Sequence, residues 1–352
     1  MSSIAPEIVI AGRRVGAGHP PYIVCEISAN HNGSLERALA TIAAAAATGA
    51  DAIKIQTYTA DSLTLACDRP EFRIEGGPWS GRTLHELYSE AGTPYAWHAA
   101  LFAKAKACGV PLFSTPFDEG AVDMLAALGA PAFKIASFEI VDLPLIAYAA
   151  RLGKPMILST GMADLGEIGA AVATARGNGA AEVALLHCTS AYPAPIEEAN
   201  VATVPHLGAA FGCVAGLSDH SPGGAASLAS IVLGGCIVEK HFTLARADGG
   251  PDAAFSLEPH EFKALVDDCR AAWKAVGKVG YGVEGSERGS LAFRRSLYAV
   301  RTIARGEAVT KDNVRSIRPG HGLPPKHLPD VLGRKAARDI AYGEPLAWDL
   351  LA

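Results

Sequence analysis

Short apolar segments, each ending in polar residues, recur eight times along the chain, and most of the stretches between them have helical character. Strands that alternate with helices predict parallel pairing, and near-continuous apolar strands predict burial on both faces. Eight such units in about 250 residues predict an α/β fold of the (β/α)8 TIM-barrel type. The predicted strands are 22–30, 52–58, 111–117, 132–138, 155–162, 183–190, 213–221 and 236–243.

Two departures from this repeat shape the predicted domain organisation. Residues 59–95 form an unusually long gap, which we interpret as an excursion over the barrel mouth, because long loops in compact domains are usually functional. A Gly-rich stretch, 277–290, then resembles a linker, and short alternating segments follow it. We therefore predict a catalytic barrel domain over 1–282 and a small β-rich domain over 283–352.

Composition excludes several classes of protein. The 352 residues are 49% hydrophobic and 19% charged, which is typical of a globular protein and not of a disordered one. We expect no membrane span and no secretory signal, because no apolar run reaches about 20 residues and the N-terminus lacks a basic region before an apolar core. The seven cysteines show no CxxC spacing, so we expect buried free thiols and a reducing, cytoplasmic location.

Charge is distributed unevenly along the chain. From Glu284 to the end, twelve Lys and Arg face eight Asp and Glu, a net of +4, which leaves −9 for the remainder of the −5 total. These basic residues are dispersed, and no nucleic-acid-binding motif accompanies them, so we expect no nucleic-acid partner. A basic module that approaches an anionic small-molecule site fits the same pattern.

Two lysines lie near the carboxyl ends of predicted strands, where TIM barrels carry their active sites. Lys54 and Lys134 have Ser and Thr hydroxyls on the same and neighbouring strands. Ammonium groups and hydroxyls converging on one mouth favour a phosphate or carboxylate site. The alternative is that both lysines extend between helices to solvent.

The last predicted strand ends in Glu239, Lys240 and His241, an unusual amount of charge after a buried run. His220 ends the neighbouring strand, so the two imidazoles can meet and hold a divalent metal that keeps positions open for substrate. Asp219 and Glu239 could orient these imidazoles or could be plain ion-pair partners. Lys240 has no predicted role.

Cys188 and its neighbour His187 are a further pair of reactive residue types. A nucleophilic thiolate would need the base beside it. Adjacent residues of a strand point to opposite faces, so we do not predict a nucleophilic role.

The motifs resemble, in order and over nearly the whole chain, those of the sialic acid synthase family. They are NHNGSLERA, KIQTY, STPFD, KIAS, STGM, HCTSAYP, GLSDHS and VEKHFT, with RRSLYA and IRPGHG resembling the family's C-terminal antifreeze-like (SAF) domain. The stretches KIQTYTADSLTL, GGPW and LHELYSEAGTPYAWH resemble the branch that makes pseudaminic acid rather than N-acetylneuraminate.

The resemblance implies a metal-dependent transferase that condenses phosphoenolpyruvate with an N-acylated amino sugar and water. It implies a homodimer with swapped C-terminal domains, and a metal, Mn²⁺ first with Mg²⁺ or Co²⁺ as alternatives, on His220 and His241. It places Glu26 or Glu139 as general base. It assigns phosphoenolpyruvate to Lys54, Thr115, Lys134, Ser137, Ser159, Ser190 and Ser218, and the sugar to Gln56, Tyr192, Asp252 and Arg318.

Two positions depart from the family pattern: Ser190 stands where many relatives have Asn, and the Pro–Asp pair at Asp252 lacks the basic residue that often follows. Other functions stay open. The chain could be an N-acetylneuraminate or legionaminic acid synthase, a non-catalytic sugar- or ice-binding protein, or a metal-dependent aldolase or hydrolase on the same barrel.

Overall fold

A computed structural model describes residues 6–352, so residues 1–5, where the predicted catalytic domain begins, lie outside the described residues. The chain forms two compact units that divide between Gly277 and Lys278. No helix in the described part of the chain has the length and apolar character needed to cross a membrane.

The first unit is the predicted TIM barrel. Eight parallel strands pair in sequence order, and the last pairs with the first to close the barrel. Each strand is shorter than its predicted segment, because the polar residues at its end leave the ladder and enter the mouth. The barrel strands are β3 (Tyr22–Glu26), β4 (Ala52–Thr57), β5 (Leu112–Pro116), β6 (Phe133–Ile135), β7 (Met156–Ser159), β8 (Val183–Cys188), β9 (Val214–Asp219) and β10 (Ile237–His241).

Helices surround the barrel and cover the outer faces of the strands. Several begin at side-chain caps: Ser34 accepts from the Arg37 amide, and Asp118 accepts from the Ala121 amide. The helices are α1 (Leu35–Ala47), α2 (Ala60–Leu63), α3 (Leu84–Ala91), α4 (His98–Ala107), α5 (Glu119–Ala127), α6 (Leu143–Ala150), α7 (Leu165–Gly177), α8 (Thr203–Phe211), α9 (Ala225–Val232) and α10 (Pro259–Val276).

An N-terminal hairpin, which the sequence pattern did not predict, closes the amino-terminal end of the barrel. Its strands β1 (Glu7–Ile10) and β2 (Arg13–Gly16) pair antiparallel. Ile8, Ile10 and Val15 are buried and belong to the apolar cluster inside the barrel. This end is therefore sealed by apolar side chains, which leaves the polar residues at the opposite end.

The second unit is small and β-rich, as predicted. Strands β11 (Ser296–Ala299) and β12 (Val314–Ile317) pair antiparallel, and short isolated bridges extend the pairing. Helix α11 (Leu328–Val331) contributes to a separate apolar core, which includes Leu297, Ile303 and Ile340.

Candidate functional site

The interior of the barrel follows the period of two along its strands. Val24, Ala52, Ala132, Ile157 and Leu186 form the buried apolar layer inside the barrel. Two residues further along each strand, toward the carboxyl end, the same face carries a polar or reactive side chain. The inward residues of this next layer are Glu26, Lys54, Thr115, Lys134, Ser159, Cys188, Ser218 and Glu239.

Lys54 is the centre of a buried ionic cluster. Its ammonium group pairs with Glu26, lies 3.3 Å from Glu239 Oε1 and donates to Thr115 Oγ1 at 3.3 Å. Burial alone would lower the pKa of Lys54, but the two carboxylates raise it above its usual value. Ser218 Oγ donates to Glu239 Oε1 at 3.4 Å, which extends the cluster to β9. Lys54 therefore stays charged, with its charge shared by two carboxylates.

Lys134 is buried among neutral partners. Its ammonium group donates to Ser159 Oγ at 2.6 Å and to the Ile135 carbonyl at 2.9 Å. Burial lowers its pKa, since no carboxylate pairs with it among the described residues. This lysine is therefore the cationic group of the mouth that is best placed to gain from an incoming anion. Neither lysine extends to solvent, since Lys54 is 3% exposed and Lys134 1%.

Two predicted phosphate-binding hydroxyls meet at a glycine. The Gly161 amide donates to Ser137 Oγ at 3.1 Å. A Cβ added at Gly161 would lie 2.8 Å from Ser137 Oγ and closer still to Ser190 Oγ. Gly161 thus allows both hydroxyls to face one small space at the end of β7, the strand that carries Ser159.

The two predicted metal ligands lie side by side. The ring centroids of His220 and His241 are 5.3 Å apart. His220 Nδ1 donates to the Thr189 carbonyl at 3.0 Å, which leaves Nε2 free as a lone-pair donor. Burial holds the pKa of His241 well below its usual value, so its ring is neutral, and Asp252 Oδ2 lies 3.6 Å from its Nδ1.

The residues present fit a divalent metal that keeps open positions. His241 Nδ1 is buried without a hydrogen-bond partner in the described structure, and so is Glu239 Oε2. Unsatisfied buried polar atoms with free lone pairs are the groups that a bound ion or substrate satisfies. The described residues contain no ready group of three His, Cys, Asp or Glu ligands. The protein would therefore supply two imidazoles and leave other positions to water and substrate.

Of the two alternatives for Asp219 and Glu239, the structure supports ion pairing and not contact with the imidazoles. Glu239 faces inward but contacts Lys54 and Ser218. Asp219 and Lys240 face outward, pair with each other at 2.9 Å, and are both buried against α9. Asp219 also accepts from Ser221 Oγ and Ser227 Oγ, each at 2.6 Å. This outward pair is structural, and the carboxylate near an imidazole is Asp252.

The two candidate bases have different environments. Glu26 is fully buried and engaged, since Ser28 donates to Oε1 through its amide and hydroxyl while Lys54 pairs with Oε2. Glu139 has a buried Oε2 without a partner in the described structure. Burial raises the pKa of Glu139 to about 7. The near-neutral pKa and the unpartnered oxygen of Glu139 suit a general base.

Cys188 faces the mouth, a placement that sequence reasoning did not use. Its Sγ lies 3.7 Å from His220 Nδ1 and 3.7 Å from Ser190 Oγ. His187 faces away and donates to the Ala199 carbonyl, so the two do point to opposite faces, as predicted. The period of two from Ala184 and Leu186 would have identified Cys188 as inward.

An aromatic group borders the histidines. Tyr192 has its ring centroid 4.3 Å from that of His220, and Phe255 lies 5.0 Å from His241. Trp79, from the excursion between β4 and α3, contacts both aromatic rings. The excursion therefore does lie over the barrel mouth, as predicted. Gln56 lies beside Thr115 in the strand register, at the edge of the same mouth.

Arg318 belongs to the second unit, directly after β12. Its side chain is exposed and forms no ion pair with any of residues 6–352. It is therefore free to bind a ligand or another chain.

Comparison with known proteins places this arrangement in a family. The NeuB family matches residues 41–281, more than half of the chain, and the SAF domain matches residues 294–352. The chain belongs to the NeuB family. The resemblance drawn from the motifs is confirmed, and so is the TIM barrel followed by a SAF domain.

Individual members of the NeuB family match over nearly their full length. Pseudaminic acid synthase of Campylobacter jejuni is 43% identical over 92% of this chain and 95% of its own. Pseudaminic acid synthase of Helicobacter pylori is 40% identical over 94% and 97%. The crystal structure of N-acetylneuraminic acid synthetase from Leptospira borgpetersenii has a TM-score of 0.73 and 30% identity, covering 83% of this chain and 97% of that one.

Proposed function

We propose that this chain is a pseudaminic acid synthase. It condenses phosphoenolpyruvate with 2,4-diacetamido-2,4,6-trideoxy-β-L-altropyranose, in its open-chain form, and water to give pseudaminic acid and phosphate. One observation carries the proposal: a buried lysine–hydroxyl site lies beside a histidine pair, in a chain that is 40–43% identical to pseudaminic acid synthases.

The phosphate of phosphoenolpyruvate binds at Lys134, where the lysine lacks an anionic partner among the described residues. Ser159 holds the ammonium group, and Ser137, Ser190 and the Gly161 backbone border the adjoining space. Lys54, which donates to Thr115 Oγ1, and Ser218, which donates to Glu239 Oε1, form the rest of the phosphoenolpyruvate site. Charge-assisted bonds from buried lysines and hydroxyls neutralise the polyanion in a site with little water.

His220 and His241 would hold the divalent metal, with Mn²⁺ first and Mg²⁺ or Co²⁺ as alternatives. When bound, the metal supplies Lewis-acid polarisation of the aldehyde oxygen. The C3 carbon of phosphoenolpyruvate attacks the aldehyde carbon, whose oxygen takes up a proton to become a hydroxyl, and water adds at the electron-deficient C2. Glu139 takes the proton of that water, because its oxygen is unpartnered and its pKa is near 7. The bond between C2 and the bridging oxygen then breaks, which releases phosphate.

The sugar is bound by Gln56, Tyr192 and Asp252 of one subunit and by Arg318 of its partner, in a homodimer with swapped C-terminal domains. An exposed apolar rim at the mouth supports an interface there: Phe138, Val141, Met162 and Leu165 are each more than half exposed. Monomeric proteins rarely leave such residues clustered in solvent. We place the enzyme in the cytoplasm, where its free thiols stay reduced.

Mixing two inactive variants tests the swap. One variant carries Lys134→Ala in the barrel, and the other carries Arg318→Ala in the tail. If Arg318 comes from the partner, each co-expressed heterodimer has one intact site out of two. Random pairing makes about half of the dimers heterodimers, so about a quarter of wild-type activity should return. No regain, with heterodimers demonstrated by two affinity tags, would show that Arg318 acts within its own subunit, and full activity of Arg318→Ala alone would show that Arg318 has no role.

Phosphate release from phosphoenolpyruvate tests the activity itself. The proposal requires release only when phosphoenolpyruvate, metal and the deoxy sugar are all present. Turnover of N-acetylmannosamine or of a legionaminic acid precursor instead would assign another branch of the family. Sugar binding without phosphate release would favour a binding protein, and aldol cleavage without phosphoenolpyruvate would favour an aldolase.

A further inference from the structure

Trp79 is presented by a tight loop in the excursion between β4 and α3. The Ile74 amide donates to the Arg82 carbonyl at 2.9 Å, and the Gly81 amide donates to the Ile74 carbonyl at 3.0 Å. Gly76, Gly77 and Gly81 have φ of 80°, 71° and 87°, values that only glycine adopts without strain. The loop is thus built to project one large aromatic side chain.

The Trp79 ring packs onto the aromatic residues beside the histidines. Its centroid lies 5.6 Å from Tyr192 and 6.3 Å from Phe255, and its Nε1 donates to the Pro251 carbonyl at 2.9 Å. We call Trp79, Tyr192 and Phe255 the aromatic wall. Trp79 is the member of the wall that does not itself contact a histidine.

The wall contrasts with the rest of the mouth. Lys54, Glu26 and Glu239 form a charged floor, and Lys134 lies among hydroxyls. Burying an apolar substituent against aromatic rings is favourable, because it removes apolar surface from water. Burying a hydroxyl there without a hydrogen-bond partner is unfavourable. The wall therefore suits a ligand that is polar at one end and apolar at the other.

We propose that Trp79 is a specificity-determining residue, which receives the C6 methyl group of a 6-deoxy sugar. This inference rests on the proposed function. With the aldehyde at the histidines, C6 lies roughly 6 Å further along an extended open chain, from five bonds of about 1.5 Å. Tyr192 and Phe255 contact the histidines, and Trp79 is the next ring outward from them, so it lies on the side of the wall toward which an extended chain would carry C6. A hydroxyl at C6 would meet the Trp79 ring, which offers it no hydrogen bond because its N–H is already donated to the Pro251 carbonyl.

Two acceptors that differ at C6 alone test this assignment: the 6-deoxy sugar and its synthetic analogue with a C6 hydroxyl. The readout is the ratio of kcat/KM for the two, measured by phosphate release. We expect the wild type to prefer the deoxy sugar by about tenfold or more, the discrimination available from one apolar group in an apolar pocket. Trp79→Gln should remove most of that preference.

Three further variants separate specificity from folding and positioning. Trp79→Phe keeps an apolar ring but loses the N–H that holds the Pro251 carbonyl, so the preference should survive even if both rates fall. Trp79→Leu should give an intermediate ratio and replaces Trp79→Gln if that protein is insoluble. Trp273→Phe, on α10, is the matched control and should leave the ratio unchanged.

The outcomes distinguish the two proposals. Wild-type enzyme that releases no phosphate with either acceptor would overturn the proposed function and this inference together. Turnover of both acceptors at similar kcat/KM, or an equal loss for both in Trp79→Gln, would overturn the inference alone. A ratio that falls in Trp79→Gln and persists in Trp79→Phe would support it.

Discussion

Replacing Gly161 by Ala probes the phosphate end of the site with a single methyl group. The new Cβ would lie 2.8 Å from Ser137 Oγ and 3.1 Å from Ser137 Cβ, and it would overlap Ser190 Oγ. Gly161 has no positive φ, so Ala fits its backbone. The two hydroxyls must move, and the substitution therefore acts on the proposed phosphate contacts rather than on the fold.

The magnitude follows from the contacts that are displaced. A hydrogen bond to a charged group contributes about 1.5–3 kcal/mol. Loss of one such bond to phosphate raises the KM for phosphoenolpyruvate roughly 10- to 150-fold, and loss of both raises it further. The KM for the sugar should change less, because Ser137 and Ser190 are assigned to phosphoenolpyruvate and not to the sugar.

The assay is initial-rate phosphate release, with each substrate varied while the other is saturating. Gly177→Ala is the matched control, since it lies at the end of the following helix, α7, with open space around its Cβ. Ser190→Ala should give a smaller effect, because it removes one hydroxyl without filling the space. A folded Gly161→Ala enzyme with an unchanged KM for phosphoenolpyruvate would refute the assignment of this site to phosphate.

Three other substitutions test separate parts of the account. Glu139→Gln should abolish most of the activity that rises with pH through about 7. Because the pKa of Glu139 is raised from 4.5 to about 7 in the folded state, its ionisation opposes folding increasingly between those two pH values. The variant should therefore be about 2–3 kcal/mol more stable than wild type near pH 8 and equal to it near pH 4 in urea unfolding. Lys240→Met leaves Asp219 buried without its cation and should lower the free energy of unfolding by about 3 kcal/mol. The control Lys263→Met removes an exposed pair with Asp267 and should change the free energy of unfolding by less than about 1 kcal/mol. Equal effects of the two substitutions would contradict a structural role for Lys240. Arg318→Ala should raise the KM for the sugar far more than that for phosphoenolpyruvate, and equal changes would remove Arg318 from sugar binding.

The barrel and most of its mouth could be predicted from the sequence because two periodicities coincide. Apolar strands alternating with helices identify the fold, and the period of two within each strand identifies which side chains face inward. The same rule explains Lys240, which follows inward Glu239 and precedes inward His241, and therefore faces the helices with Asp219. Applied to every strand, it would also have identified Cys188 as inward.

Other features depend on contacts between distant segments and leave no local pattern. Trp79 reaches Pro251 across 172 residues, so nothing near it in sequence indicates its neighbours. The pairing of Glu239 with Lys54 rather than with a histidine depends on the closure of β10 on β3. The hairpin of β1 and β2 is short, and its two strands of four residues resemble many surface segments.

Mass spectrometry of both products, formed in H₂¹⁸O, is the most direct test that this chain condenses phosphoenolpyruvate with the sugar by C–O cleavage. We expect a nine-carbon keto acid with the mass of pseudaminic acid that carries one ¹⁸O, together with phosphate that contains no ¹⁸O, because water attacks C2 and the C–O bond breaks. Phosphate carrying one ¹⁸O, or release of phosphate without the nine-carbon acid, would contradict it.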